Sequence, residues 1–169
     1  MTVLETDRLT LRRLTEDDAP FLLALLNEPS FLRYIGDRGV RTLDDARAYV
    51  AKGPAASYAT HGFGLYLVTR TEDGEPLGMC GLLKRDALPH ADLGYAFLPR
   101  HWSRGYAAEA AAGVVAHARR DFSLGTLLAV VSPDNDASIR VLERLGFRYE
   151  RTMPFGDDGH EVKLFVLDR

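Results

Sequence analysis

The segment TLLAVVSP, residues 126–133, constrains the fold more than any other part of the chain. It is almost continuously apolar, as expected for a strand that is buried on both faces of a sheet. We therefore place it at the centre of the sheet. The chain has 169 residues, of which 46% are hydrophobic, which is enough for one substantial core and too few for two. We expect a single domain over residues 1–169.

The patterns around this strand predict further strands and helices in a mixed order. An Asp-Gly turn joins two of the strands, which should pair antiparallel. The fold class is α/β, or α+β mixed, around one mixed sheet. In chain order the predicted elements are a strand near 9–14, helices at 15–27 and from Thr42, strands at 62–70, 76–84 and 92–99, a helix at 107–120, the strand at 126–133, a helix at 136–145, and two strands around the GDDG turn.

Composition excludes several classes of function. The net charge of −3 is spread along the chain, which argues against an extended nucleic-acid footprint. Cys80 is the only cysteine, and the five histidines lack metal-ligand spacing, so we expect neither a disulfide framework nor a metal site. No signal peptide or run of about 18 apolar residues is present. We expect a cytoplasmic protein without a membrane partner.

The stretch HWSRGYAAEAAAGVV, residues 101–115, has the composition of an anion-binding helix start. The first N–H groups of a helix have no intrahelical partner, and the helix dipole adds positive charge there. Gly105, Ala107 and Ala108 would let an anion approach the main chain, and Arg104 could add charge at the rim. An ordinary strand-to-helix turn before a close-packed helix explains the same residues about equally well.

A second segment, SPDNDASIRVLERLGF (132–147), changes that balance. Together with LPRHWSRGYAAEA, and with ETDRLTLRRLTEDD at the start, it resembles the GNAT superfamily of acetyl-CoA-dependent N-acyltransferases, in the RimJ/RimL branch. The resemblance covers essentially the whole chain. It implies a twisted, mostly antiparallel sheet of about seven strands, a splayed parallel pair at 92–98 and 126–131, and about four helices.

The resemblance also implies which residues bind acetyl-CoA, the expected cosubstrate. Trp102 stands where the family pattern has glutamine or arginine, and packing is its alternative role. Asn135 aligns with a pantetheine contact, but an asparagine before a helix is also a good N-cap. The implied pyrophosphate contacts are Trp102, Ser103, Arg104, Gly105, Tyr106, Ala107 and Ala108; the implied pantetheine contacts are Tyr95, Ala96, Phe97, Leu98, Asn135 and Ser138.

Candidate catalytic residues are less well determined. Asp92 and the preceding His90 are candidate general bases, with Glu109 a weaker choice; each can equally be an ordinary strand-start or helix-start residue. Ser138 is a proposed proton donor in some relatives and can also be a plain helix-start serine. Leu142 stands where other members carry a tyrosine acid, so that role cannot be carried over. Cys80 reads as a core residue.

The function implied is transfer of an acetyl group to a primary amine, either a protein N-terminus or a small molecule, by direct attack in a ternary complex. A catalytically silent coenzyme A binder or sensor is the alternative, and a P-loop or Rossmann nucleotide binder is disfavoured because the required motifs are missing. Residues 27–62 should border the acceptor, and the state is expected to be a monomer or homodimer. Candidate acceptor contacts, which could equally cover the core, are Phe31, Arg33, Tyr34, Arg38, Arg41 and Tyr58.

Overall fold

The computed structural model describes residues 2–169, which form one eight-stranded sheet in the order β1-β2-β3-β4-β5-β6-β8-β7. Every neighbouring pair is antiparallel except β5 and β6, which are parallel. The strands are β1 (Thr2–Glu5), β2 (Leu9–Arg13), β3 (Leu65–Arg70), β4 (Pro76–Leu83), β5 (Asp92–Phe97), β6 (Leu127–Val131), β7 (Arg148–Phe155) and β8 (His160–Leu167).

Six α-helices cover the two faces of the sheet. Within residues 2–169, none of the helices is both long enough and apolar enough to cross a bilayer. The helices are α1 (Ala19–Leu26), α2 (Pro29–Tyr34), α3 (Leu43–Lys52), α4 (Pro54–His61), α5 (Tyr106–Phe122) and α6 (Asp136–Arg144), with short 3₁₀ turns at Glu16–Asp18 and Pro99–His101.

The mixed fold class is confirmed, but the sequence undercounts its elements. The strand β1 has four residues and pairs only with β2, so its pattern is too short to recognise. Helices α2 and α4 have six and eight residues, and each begins at a proline, a residue tolerated in the first turn but also typical of loops. The sheet therefore has eight strands rather than about seven, and six α-helices replace the expected four.

Strand β6 is an interior strand with both faces covered, as expected, although it lies sixth of the eight strands rather than at the centre of the sheet. On one face, Leu127 and Ala129 join a core shared with α5 and α6. On the other face, Leu128 packs with Leu164 and Val166 of β8. The four α5 residues that pack most tightly on the sheet are small, which brings this helix close to it; they are Ala110, Ala111, Val114 and Ala118.

Strands β5 and β6 separate almost as soon as they meet. Their parallel ladder contains the single register pair Asp92 and Leu128, with the Leu128 amide donating to Ala91 O at 3.0 Å. Each strand stays paired on its other side, β5 with β4 and β6 with β8, so a gap opens between them. The splay implied by the family resemblance is present.

The bulge that often accompanies such a splay is absent from the pairing of β4 with β5. The register runs evenly from Gly78 opposite Phe97 to Leu83 opposite Asp92. The two strands lie unusually close at one point, because a Cβ atom on Gly78 would come within 2.3 Å of Ala96 O. The opening therefore arises from divergence of β5 and β6 rather than from an extra residue in β5.

Candidate active site

The loop after β5 forms a concave run of main-chain N–H groups. Ser103 and Gly105 both have left-handed backbone conformations, with φ of 62° and 81°. Successive amides in such a turn point into one concavity, which is a common anion-binding arrangement. Within the described chain, none of the amides of residues 103–108 donates to another protein group, whereas the next amide, of Glu109, donates to Gly105 O at 3.0 Å. These donors are available to a ligand.

Residues between β1 and β2 hold the start of α5 in place. The Glu109 carboxylate accepts hydrogen bonds from Thr6 Oγ1 and from the Arg8 main chain and side chain, the last at 2.7 Å. The Arg8 guanidinium also lies 4.5 Å from the centre of the Tyr106 ring. Glu109 therefore anchors the helix to the β1–β2 turn, and this engagement does not suit it to the role of base.

A cleft of about 660 Å³ runs through the opening between β5 and β6. Five of the predicted cofactor and catalytic residues lie outside its lining: Leu98 and Arg104 of the predicted cofactor contacts, and Asp92, His90 and Glu109 of the candidate bases. The other predicted cofactor contacts line it, namely Tyr95, Ala96, Phe97, Trp102, Ser103, Gly105, Tyr106, Ala107, Ala108, Asn135 and Ser138.

The indole of Trp102 has a structural role at the end of β5. Its Nε1 donates to Phe97 O at 2.9 Å, while 45% of the residue surface remains exposed. The hydrogen bond ties the following loop back to β5. We call the main chain of residues 103–108 in this loop the cradle. Because the cradle itself is made of main chain, the loop does not depend on glutamine or arginine at this position.

Tyr95 connects β5 to the start of α6. Its hydroxyl lies 2.7 Å from Ser138 Oγ and 3.2 Å from Ser138 O. Asn135 caps the same helix, since its Oδ1 accepts from the Ser138 amide at 3.3 Å. Burial raises the pKa of the Tyr95 phenol above its ordinary value. Two hydroxyl groups thus meet on the wall of the cleft, one turn of α6 before the buried Leu142.

Asp92 lies behind the wall of the cleft rather than on it. The residue has 0% exposed surface, and its carboxylate binds the Arg85 guanidinium at 2.9 and 3.2 Å. Burial raises the pKa of Asp92 to about 6, against the opposing effect of the Arg85 charge. His90 is exposed in the loop before β5. The roles assigned to these two residues stay predictions.

Two cleft residues were missed by sequence reasoning. Glu28, between α1 and α2, is the one carboxylate that lines the cleft in the described part of the chain. His101 is 8% exposed, and its Nε2 has no hydrogen-bond partner within residues 2–169. Burial lowers the pKa of His101, which favours the neutral ring. Glu28 lies in the segment predicted to border the acceptor, and His101 opens the stretch 101–115, but no local pattern distinguished either residue, and their burial and lining of the cleft come from the tertiary structure.

The residues expected around the acceptor divide into three groups: residues of the cleft, of the core and of the surface. Phe31, Tyr34 and Arg38 line the cleft. Tyr58 belongs to the core, where its hydroxyl donates to Leu65 O and accepts from the Leu14 amide. At the surface Arg33 binds Asp134 and Arg41 binds Asp37, at 3.0 and 2.6 Å.

Cys80 is fully buried in β4, and burial raises the pKa of its thiol, consistent with the expected core role. Over residues 2–169, no three His, Cys, Asp or Glu side chains are grouped so that they could hold a metal ion.

The family model described as "Acetyltransferase (GNAT) domain" matches residues 8–148. The chain belongs to the GNAT acetyltransferase family. It is therefore an acyltransferase with the GNAT fold.

Similar proteins agree with this assignment. The Bacillus subtilis protein YoaA, named an N-acetyltransferase, is 32% identical over 88% of this chain and 84% of its own. The structure of an acetyltransferase from Agrobacterium tumefaciens superposes with a TM-score of 0.83 at 30% identity, covering 98% of this chain and 94% of that one. RimL, a ribosomal L7/L12 alpha-N-protein acetyltransferase solved with coenzyme A, has the same fold, with a TM-score of 0.83 at 20% identity over 99% and 98% of the two chains.

Proposed function

We propose that this GNAT protein is an acetyl-CoA-dependent N-acetyltransferase that acetylates a primary amine by direct attack in a ternary complex. One observation carries the proposal: the unpaired amides of residues 103–108 open into a single cleft that passes between β5 and β6 and reaches α1, α2 and α3 on the other side. A cofactor and an acceptor can therefore meet in the gap between the two strands.

The main-chain cradle fits a diphosphate. Gly105 has φ of 81° and is exposed, so its backbone is open to a ligand, and a side chain there would be strained. The α5 N-terminus adds the positive end of a 17-residue helix. The separated edge of β5 leaves main-chain groups without a strand partner beyond Asp92, which suits an extended arm paired in the manner of an added strand. When bound, acetyl-CoA would supply a thioester.

The acceptor amine must be neutral to attack a thioester. An α-amine with a pKa of about 7.8 is neutral in roughly one molecule in seven at pH 7, whereas a lysine amine at about 10.4 is neutral in roughly one in 2,500. An α-amine therefore needs less help from a base. We assign Glu28 as the general base that accepts the proton of the amine, because it is the cleft-lining carboxylate of the described chain.

Asp92 is the competing base. Its pKa of about 6 suits a base that works near pH 7, but Arg85 holds both of its oxygens and separates it from the cleft. The pH dependence of kcat/KM distinguishes the two. The acidic limb should disappear in Glu28→Gln under our assignment and in Asp92→Asn under the competing one.

The departing thiolate needs a proton, and Leu142 cannot supply it. We assign this proton to the hydroxyl pair of Tyr95 and Ser138, which line the cleft 2.7 Å apart. Either hydroxyl can donate while the other accepts, so the pair can pass a proton along the cleft wall. This assignment keeps the role predicted for Ser138 and gives Tyr95 a share in it.

A silent coenzyme A binder remains the second candidate, favoured by the engagement of Asp92 with Arg85 and by a leucine where a tyrosine acid is common. The deciding experiment first measures coenzyme A affinity by calorimetry. Thiol release from acetyl-CoA is then followed with a panel of N-terminal peptides and small amines. Binding with turnover supports the enzyme, binding without turnover on any acceptor supports the silent binder, and no binding overturns both.

A further inference from the structure

A second groove, of about 440 Å³, lies where α3 meets α4 and continues from the cleft described above. The two cavities share five lining residues, so a molecule in the cleft can extend into the groove without leaving the protein surface. The shared residues are Arg38, Tyr49, Leu65, Leu83 and Arg85.

The groove is lined by positive charge that the protein does not neutralise. Arg38, Lys52 and Lys84 line it, and within the described residues no carboxylate forms an ion pair with any of the three. The Lys84 ammonium is held by two main-chain carbonyls, Leu88 O at 2.9 Å and Arg85 O at 3.1 Å, so it has a defined position. No Asp or Glu lines the groove in this part of the chain.

Tyr49 adds a hydroxyl at the junction of the two cavities. Tyr49, Arg38 and Arg85 all line both cavities. Burial raises the pKa of this phenol, and the charges of Arg38 and Arg85 oppose that rise. A phenol and guanidinium groups around one apolar floor, formed by Leu65 and Leu83, are suited to a carboxylate.

The two cavities differ in their carboxylates. Within residues 2–169, Glu28 is the one carboxylate that lines the main cleft, which also contains arginines, whereas the groove is lined only by cations and neutral residues. An acceptor with an amine at one end and a carboxylate further along would match both charges. A purely cationic amine, such as a polyamine, would be repelled by the groove.

We propose that the groove is the recognition site for a carboxylate of the acceptor, so that the preferred substrate is an amine with an acidic group beside it. This inference rests on the proposed acetyltransferase function. The carboxylate can belong to a free amino acid or to an acidic side chain near a peptide N-terminus, and the experiment distinguishes these two sources.

The experiment measures kcat/KM for thiol release with three matched acceptor pairs. The first is a peptide beginning Ser-Glu-Glu against the same peptide with Gln-Gln. The second is free glutamate against free glutamine, which keeps the α-amine and its pKa nearly unchanged, and the third is a neutral peptide against spermidine. We expect at least a tenfold preference for the acidic member of the first or the second pair, which identifies the source, and a preference that declines with added salt. Equal rates within both acidic pairs would overturn the inference.

Variants locate the preference in the groove. Lys52→Ala and Lys84→Ala should each remove most of it while leaving kcat/KM for the neutral peptide within about twofold, because both lysines line the groove and neither lines the cleft. Arg38→Glu should reverse it. The matched control is Arg47→Ala, because Arg47 is an exposed α3 cation that pairs with Asp44 and lines neither cavity. An acidic preference that survives both alanine variants would also overturn the inference.

The outcome is separable from that of the proposed function. Activity with neutral peptides but no acidic preference would support the acetyltransferase function and overturn the role proposed for the groove. Coenzyme A binding with no activity on any acceptor removes the acetyltransferase, and the inference falls with it.

Discussion

The two flanks of the cleft present different chemical groups, main-chain amides on one side and side chains on the other. The cofactor flank, defined by residues 103–108 with α5 and α6, offers main-chain amides and small side chains such as Ala107 and Ala108. The acceptor flank, defined by α1 to α4 and the loops between them, offers charged and aromatic side chains such as Glu28, Arg38 and Tyr49. Main-chain recognition tolerates changes of sequence around it, as Trp102 illustrates. Recognition by side chains changes with every substitution, so the acceptor flank is where specificity can vary within one fold.

The strongest test of the main-chain flank is Gly105→Val. The backbone conformation disfavours a β-branched residue, and the new side chain would meet the Arg8 guanidinium, which lies 3.3 Å from the Cβ position. Loss of two charge-assisted amide contacts should lower coenzyme A affinity by about 1,000-fold. Calorimetric titration of the folded variant measures this.

Gly74→Val is its matched control. Gly74 has φ of 72° in the β3–β4 turn, and its Cβ position has no neighbour within 4 Å, so the substitution reproduces the strain away from the cleft. Equal loss of affinity in both variants would mean that strain, and not the cradle, explains the effect.

Asp92→Asn tests the point where the two flanks join. Burial raises the pKa of Asp92 to about 6 from its ordinary value of 3.8. The folded protein therefore binds this proton more tightly than the unfolded chain. The resulting stabilisation is complete below about pH 4 and is lost as the pH rises through 6, a change of roughly 3 kcal/mol. Between pH 4 and pH 7, the free energy of unfolding of the wild type, measured in urea, should accordingly fall by about that much relative to the variant.

Asp121→Asn should show the opposite pH dependence of stability. Hydrogen bonds from Arg120 and His117 lower the pKa of Asp121 to about 2, so its stabilisation is present above about pH 4 and is lost on acidification.

For Asp92, the contrary outcome would be a wild type whose free energy of unfolding, relative to Asp92→Asn, increases with pH. That result would show that the Arg85 pairing outweighs burial and that our interpretation of this junction is wrong.

Tyr95→Phe and Ser138→Ala sharpen the comparison on the cofactor flank, where we propose that two side chains act in the reaction. Each change removes one member of the hydroxyl pair and should lower kcat about tenfold, near the low end of acid–base effects, with coenzyme A affinity within about twofold. The double variant should lose little more than either single one, because the two hydroxyls act together.

Tyr66→Phe is the control for the hydroxyl pair. It removes a buried hydroxyl that bonds His117 Nε2 at 3.0 Å without lining the cleft. A comparable loss of kcat in this variant would assign the Tyr95 effect to packing.

The smallest effect is expected from Arg33→Ala. Arg33 of α2 binds Asp134, which precedes α6, so this pair joins the two flanks across the surface. Both side chains are more than half exposed, at 65% and 58%, and such exposed pairs contribute little to stability. Urea unfolding and coenzyme A titration should change little. A change in coenzyme A affinity above threefold would show that the pair controls the cleft.

The sequence alone was most informative on the cofactor flank. Gly105, the alanines after it and the Asn135 cap identify themselves through local backbone requirements, since a left-handed turn and a helix start depend on neighbours in the chain. The apolar run of β6 likewise determined its interior position. These features were predicted because their physical causes lie within a few residues.

On the acceptor flank the sequence predicted the segment, residues 27–62, and Arg38 within it, but the tertiary structure selected the other residues. Glu28 and Tyr49 lie in that segment without a distinguishing pattern, and Lys84 is distant from it in the chain. They converge because α1, α2 and α3 pack together on the sheet, against a core that includes Met79 and Leu98. The enclosed placement of Asp92 has the same origin, since its burial and its pKa depend on Arg85 and on the strands around it. Charge and burial are properties of the assembled neighbourhood, and no local pattern records them.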